Sequence, residues 1–336
     1  MGTVMGIEME GETAKVGGDV GGGSNVEAVD YFYMLPEGCI AHIVSLTSPR
    51  DACRLCLVSS IFKSAAESDA VWEKFLPPGY HSFIVDSDYH RRALTKKDLY
   101  FSLCDQPLLF DEGRKSFSLD KVSGKKCYML SARVLSIVWG DTPRYWTWIP
   151  SPEARFGDVA ELISVCWFEI LGKIDIRMLS PSTLYTANFV FKSTRGAYGF
   201  EHQTLDAVVG LVGGQKSTRS VYLDDEAGQR RRRSQIVPRR MGLLFRNHRN
   251  METEISTTRS DRDMDMDMDR DRDRNDEHNH PKVRGDGWME VELGEFFYDG
   301  GQEGELEINL LEVKGGNWKG GLIVQGIEIR PKKELA

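Results

Sequence analysis

The sequence predicts two units of different class, a small all-α module followed by an all-β sandwich or barrel. Three observations carry this. From Met34 to about Leu76, Gly and Pro are scarce and apolar residues recur at spacings of three and four, the period of an amphipathic helix. From about Lys97 onward, short apolar runs alternate with polar residues between Gly and Pro punctuation, the texture of strands and turns. No strand–helix–strand rhythm interrupts them, so a parallel sheet is not expected. A length of 336 residues fits two domains better than one.

Taken in order, residues 1–29 form a lead in which Gly17, Gly18, Gly21, Gly22 and Gly23 discourage packing, and disorder is expected there. The helical module spans 30–76. Leu35-Pro36 opens its first helix, where proline fits because the first turn has spare N–H groups. Ile40, Ile43 and Val44 share one face. Ser48-Pro49 restarts the chain as a second helix, Ser48 as N-cap and Pro49 at the first position. Leu55, Val58 and Phe62 form the next apolar stripe, and Trp72 follows. Residues 77–96, opened by Pro77-Pro78-Gly79, read as a linker. The β unit covers 97–331. Tyr185, Ala187, Phe189 and Phe191 alternate with Thr186, Asn188, Val190 and Lys192, a half-buried strand. The same alternation runs through Met289–Leu293, Leu306–Leu310 and Ile327–Arg330. Residues 226–285 break it: Arg230 to Arg233 and the run from Asp261 to Asp276 cannot bury enough apolar surface to offset chain entropy, and are expected to be a disordered insert.

Composition narrows the function. Lys and Arg total 43 against 51 Asp and Glu, a net charge of −8, which does not point to nucleic acid. No apolar run reaches the roughly 20 residues of a membrane span. The Gly- and acid-rich start lacks the pattern of a signal peptide, and six cysteines suit reduced thiols, so the cytoplasm and nucleus are the expected compartments. Cys53 and Cys56 form a lone C-x-x-C without a second pair at zinc spacing, and no metal or cofactor is expected. The Asp265-x-Asp267-x-Asp269 run lacks the glycine and glutamate of a calcium loop, having Arg270 and Asp276 in their places. Arg230 to Arg233 reads as a nuclear-import signal or simply as an exposed basic loop.

The ordered set Leu35-Pro36, Ile40 and Ile43, Pro49-x-Asp51, Leu55-x-x-Val58 and Trp72 resembles an F-box. It departs where many F-boxes carry a tryptophan in the third helix, with Phe62 there instead. The resemblance implies three helices that dock on a Skp-type linker and, through it, on a cullin scaffold. Leu35, Pro36, Ile40, Ile43, Pro49, Leu55, Val58 and Trp72 are its candidate contact residues; as an ordinary helical domain, the same residues would simply be core.

The stretches Leu99–Cys104, Gly124–Arg133, Leu135–Pro143, Tyr145–Trp148, Asp286–Phe297 and Trp318–Pro331 resemble the phloem-protein-two-like family of plants. Joined to an F-box, they match its PP2-B type. That family is similar to Nictaba-type lectins, which implies a jelly-roll-like sandwich binding N-acetylglucosamine oligomers or glycoprotein glycans. Trp139 and Trp146 match tryptophans assigned to the sugar site, Trp148 shares a strand face with Trp146 at a spacing of two, and Glu303 and Glu305 fall in the stretch where the family places sugar-binding carboxylates. Sugar C–H faces stack on aromatic rings while carboxylates take up hydroxyls. A tryptophan in a sandwich is also commonly core. Trp167, Trp288 and Trp318 are expected to be structural. The implied function is a non-catalytic adaptor of an SCF-type ubiquitin ligase that recognises a glycoprotein; a lectin without a ligase role is the alternative.

Overall fold

A computed structural model describes residues 34–81, 95–201, 203–224 and 279–333. The expected lead and most of the polar insert lie outside the described residues. Four short helices open the chain: α1 (Glu37–Ser45), α2 (Pro49–Leu55), α3 (Ser60–Glu67) and α4 (Asp69–Phe75). Three were expected. The difference arises at Ser68, whose extended backbone (φ −69°, ψ 142°) ends α3 and begins α4. Ser48 caps α2 by accepting a hydrogen bond from the Asp51 N–H at 3.1 Å, with Pro49 at the first helical position, so the turn chemistry read from the sequence holds.

A fifth helix, α5 (Lys96–Asp105), stands where strand texture was expected from Lys97 onward. Its start carries a capping box: Thr95 accepts from the Asp98 N–H, and Asp98 accepts from the Thr95 N–H. The alternation in Leu99-Tyr-Phe-Ser-Leu is ambiguous over five residues, and the cap decides it.

Fourteen strands follow among the described residues: β1 (Leu108–Phe110), β2 (Lys115–Leu119), β3 (Lys126–Ser131), β4 (Ser136–Ile137), β5 (Trp146–Pro150), β6 (Asp158–Leu162), β7 (Phe168–Asp175), β8 (Thr183–Tyr198), β9 (Leu205–Leu211), β10 (Lys216–Val221), β11 (Lys282–Val283), β12 (Met289–Tyr298), β13 (Glu305–Glu312) and β14 (Gly320–Pro331). They build two antiparallel sheets. The larger runs β1-β2-β3-β14-β8-β12-β11, with β6 on β14 and β5 on β6; the smaller runs β10-β9-β13-β7-β4.

The inner faces are the apolar halves of the alternations. Tyr185, Ala187, Phe189, Phe191, Ile327 and Ile329 of the larger sheet share one buried core with Phe168, Ile170, Leu306, Ile308 and Leu310 of the smaller. The sheets close tightly enough that a Cβ on Gly172 of β7 would meet Ile327 of β14 at 3.1 Å. β8 departs from its half-buried expectation, because Thr186, Asn188 and Val190 on its outer side are also buried. Residues 151–157 fold over that side, where Phe156 joins Met129, Val159, Val190 and Trp288 in a second, smaller core. Beside it Glu328 is enclosed by Arg155 at 3.0 Å, Arg284 at 2.8 Å and Arg330 at 2.8 Å. Burial pushes the Glu328 carboxyl up, and the three guanidinium groups more than reverse this, holding its pKa at about 2.

Candidate functional sites

The helical module splits its candidate residues into two sets. Leu35, Pro36, Ile43 and Val58 are exposed, and Leu55 is half-buried. Ile40, Pro49 and Trp72 are buried and are core rather than contact residues. The helical period explains the split: Ile40 and Val44 face α3 and α4, which leaves Ile43 on the outer stripe. Three further residues join the exposed set. Met34, Leu46 and Leu57 lie beside it, and Leu57 is 88% exposed. Sequence reasoning missed Leu57 because only the i, i+3 partner of Leu55 fitted the stripe; the turn after α2 turns Leu57 and Val58 outward together. Exposed apolar side chains in this number on so small a module suit an interaction surface.

The three tryptophans proposed for the sugar site also separate. Trp146 is 2% exposed and packs on Phe168 across the sandwich with ring centroids 6.2 Å apart; it is core. Trp148, half-buried, donates its indole N–H to the Gly140 carbonyl at 3.3 Å and carries the Arg133 guanidinium 3.8 Å above its ring, so one face and its polar edge are committed. Trp139 is 42% exposed, stacks on Tyr145 at 5.0 Å and sits at φ +58°. A bulky residue in that region is strained by of order 1–3 kcal/mol, and such strain concentrates at functional sites.

Trp139 belongs to an aromatic rim at one end of the sandwich. Backbone hydrogen bonds assemble it: Val138 N–H to Glu169 O at 3.1 Å, Ile163 N–H to Tyr145 O at 2.9 Å, and the reciprocal pair of Val165 and Lys319 at 2.9 and 2.8 Å. These bring Trp139, Tyr145, Trp167 and Trp318 to the same end, and Tyr198 joins them through its hydroxyl, 2.7 Å from Ser164 Oγ. Trp167 and Trp318, expected to be structural, are both exposed; Trp288 is buried, as expected. Trp167 donates its indole N–H to Glu169 at 2.9 Å, which holds a carboxylate at the edge of the indole ring. The Trp167-x-Glu169 spacing was a readable signal, since residues two apart share one side of a strand.

The loop that carries Trp318 hangs from a buried ion pair. Lys319 is fully enclosed and pairs with Glu312, while also donating to Asn317 O at 2.8 Å. The other Glu312 oxygen accepts from Gln203 at 3.1 Å and from the Gly315 N–H at 2.8 Å.

Glu303 and Glu305 do not join this rim. Glu305 pairs with Asp175 at the far end of β7, whereas Phe168, next to Glu169, pairs with Glu312. Six residues of strand separate Glu169 from Asp175, about 20 Å. The candidate carboxylates and the exposed tryptophan therefore lie at opposite ends of the sandwich, and Glu169 is an acidic group at the aromatic end, as is the exposed Asp141 two residues after Trp139. A cavity of about 470 Å³ lies elsewhere again, between α5 and residues 153–155 on the outer side of the larger sheet. Its Arg155 and Glu328 are paired with each other, and it holds none of the exposed aromatic residues.

Comparison with known proteins shows the family. The family model for phloem protein 2 matches residues 125–331, and the F-box domain model matches residues 32–74. The chain is similar to F-box protein PP2-B10 of Arabidopsis thaliana, 46% identical over 306 residues that cover 90% of this chain and 95% of that one. It is also similar to F-box protein PP2-B1 of the same plant, 44% identical with 92% of each chain covered. Among solved structures, a carbohydrate-binding module in complex with beta-1,4-galactotriose aligns over 59% of this chain and 87% of its own, at 10% identity and a TM-score of 0.25, too low to carry any argument.

Proposed function

Since the chain belongs to the phloem protein 2 family and carries an F-box ahead of that domain, we propose that it is a substrate-recognition adaptor of an SCF-type cullin–RING ubiquitin ligase. The F-box docks on a Skp-type linker, and the sandwich holds a glycoprotein through N-acetylglucosamine-containing glycans. The observation that carries the reading is the outward apolar set Met34, Leu35, Ile43, Leu46, Leu57 and Val58 on a module this small. Covering such side chains with a partner favours the complex by roughly 1.5–3 kcal/mol for each fully covered side chain.

The chain performs no covalent step in this reading. It raises the effective concentration of target lysines near a charged ubiquitin carrier. On the sandwich, Trp139 is the stacking platform, and Glu169, held by Trp167, is the hydroxyl acceptor. Glu303 and Glu305 are too distant to act on the same sugar unit. The adaptor works in the cytoplasm and nucleus, in keeping with six cysteines that are all unpaired.

Co-purification with a Skp-type linker tests the docking half. The intact chain is expected to hold the linker, and a Leu57→Ser/Val58→Ser chain is expected to lose it while staying folded. No binding by the intact chain would sink the adaptor reading and leave a lectin carrying an F-box that docks on nothing.

A further inference from the structure

Trp72, the closing tryptophan of the F-box, faces α5. Its ring lies 5.5 Å from Phe75, 5.1 Å from Tyr100 and 5.3 Å from Phe101, the last two on α5, and its indole N–H is fixed on Ala66 O at 2.7 Å. The start of α5 is tied to the start of α4 by the Lys96 N–H on Asp69 at 2.8 Å. Lys97 lies 5.7 Å from the Trp72 ring and 3.9 Å from Glu67.

The opposite side of α5 is held by the β unit. Tyr100, fully buried, donates its hydroxyl to Asp120 O at 3.0 Å in the β2–β3 turn. Lys121 of that turn pairs with Asp105 at 3.1 Å and covers the Phe101 ring at 5.5 Å. Gly124 completes the turn at φ +71°, and a Cβ there would stand 3.3 Å from Pro49 of α2 and 3.4 Å from the Tyr100 hydroxyl. The turn is thus packed directly against the F-box. One continuous apolar core runs from Ile40 through Trp72, Tyr100, Leu103 and Phe117 to Ile329.

We infer that the F-box and the sandwich form one rigid body, with Tyr100 and Phe101 of α5 as positioning residues that fix the aromatic rim relative to the linker-docking face. The helical module is therefore held against the β unit by packing through α5 and the β2–β3 turn. Interfaces between domains that move are small and polar, whereas this one is apolar and carries the largest enclosed side chain of the module. A fixed angle makes the choice of target lysine a matter of geometry rather than of diffusion. The rigid body is independent of the proposed function; its consequence for ubiquitin transfer rests on it.

Residual dipolar couplings on the full-length chain decide the matter. Backbone amides of 37–75 and of 115–331 are expected to fit a single alignment tensor of equal magnitude. Two tensors, or a smaller magnitude for the helical set, would overturn the inference. In a Phe101→Ala chain the helical set is expected to lose its shared alignment, while linker pull-down and retention on chitotriose resin stay at wild-type levels. Retained alignment in that variant would remove Phe101 from the positioning role. Because the tensor of the wild-type chain is decisive alone, a Phe101→Ala chain that fails to fold leaves the test intact. A wild-type chain that aligns as one body yet fails to hold the linker overturns the adaptor reading and not this inference.

Discussion

Replacing Trp139 and Trp146 one at a time separates a binding tryptophan from a structural one. Trp139 is 42% exposed, which leaves roughly 100 Å² of a side chain that offers about 250 Å² at most. A sugar ring laid on one face covers about 60 Å² of it, worth about 1.5 kcal/mol at roughly 25 cal/mol per Å². Loss of that platform weakens binding about tenfold. Trp139→Gly is the sharper variant, because glycine accepts φ +58° without strain. It removes the ring and relieves backbone strain of order 1 kcal/mol. The expected pattern is thus weaker chitotriose binding by isothermal titration together with a loss of stability in urea smaller than that of Trp146→Ala, because the relieved strain offsets part of the lost contact with Tyr145. Trp146→Ala should cost about 3–5 kcal/mol as a large-to-small core change, whatever its effect on sugar. A Trp139→Gly chain that binds chitotriose like wild type would refute the assignment, as would a Trp146→Ala chain of normal stability.

Further expectations concern other parts of the molecule. Leu57→Ser/Val58→Ser should reduce affinity for a Skp-type linker by about two decades, from roughly 3 kcal/mol of lost apolar contact, yet shift the urea midpoint little because both side chains are exposed. Lys319→Met strips the partner from buried Glu312 and should cost about 3–5 kcal/mol; a loss below about 1 kcal/mol in urea titration would show that the pair is not desolvated. Glu328 sets an acid limit. Its pKa is depressed from 4.5 to about 2 in the folded chain, so its contribution is complete above about pH 4.5 and is lost as pH falls toward 2. Stability measured across that window should fall, and a Glu328→Gln chain should show a shallower slope there; equal slopes would remove Glu328 as the source.

The candidate sites were legible in kind more than in place. The ordered F-box signature located the module, yet local spacing could not tell Ile43 from Ile40, because both lie on an apolar stripe and only the packing of α3 and α4 decides which is enclosed. Likewise Trp146 and Trp148 share a strand face, but the covering Phe168 and Arg133 come from elsewhere in the chain. Glu303 and Glu305 looked close to the tryptophans through family likeness alone. Strand register, set by the pairing of β13 with β7, sends them to the other end.

By itself, the sequence determined the class of each unit and the order of the two, since hydrophobic period follows from backbone geometry and needs no partner. It also determined the cap at Ser48 and the inner faces of β8, β12, β13 and β14, which are local or period-two properties. Only the tertiary structure decided that α5 is shared by both units, that Trp72 packs on it, and that Trp139, Trp167 and Glu169 meet at one rim. Those facts depend on residues far apart in the chain coming together, and which distant surfaces cover one another is written in the packing of the whole core rather than in any local run of residues.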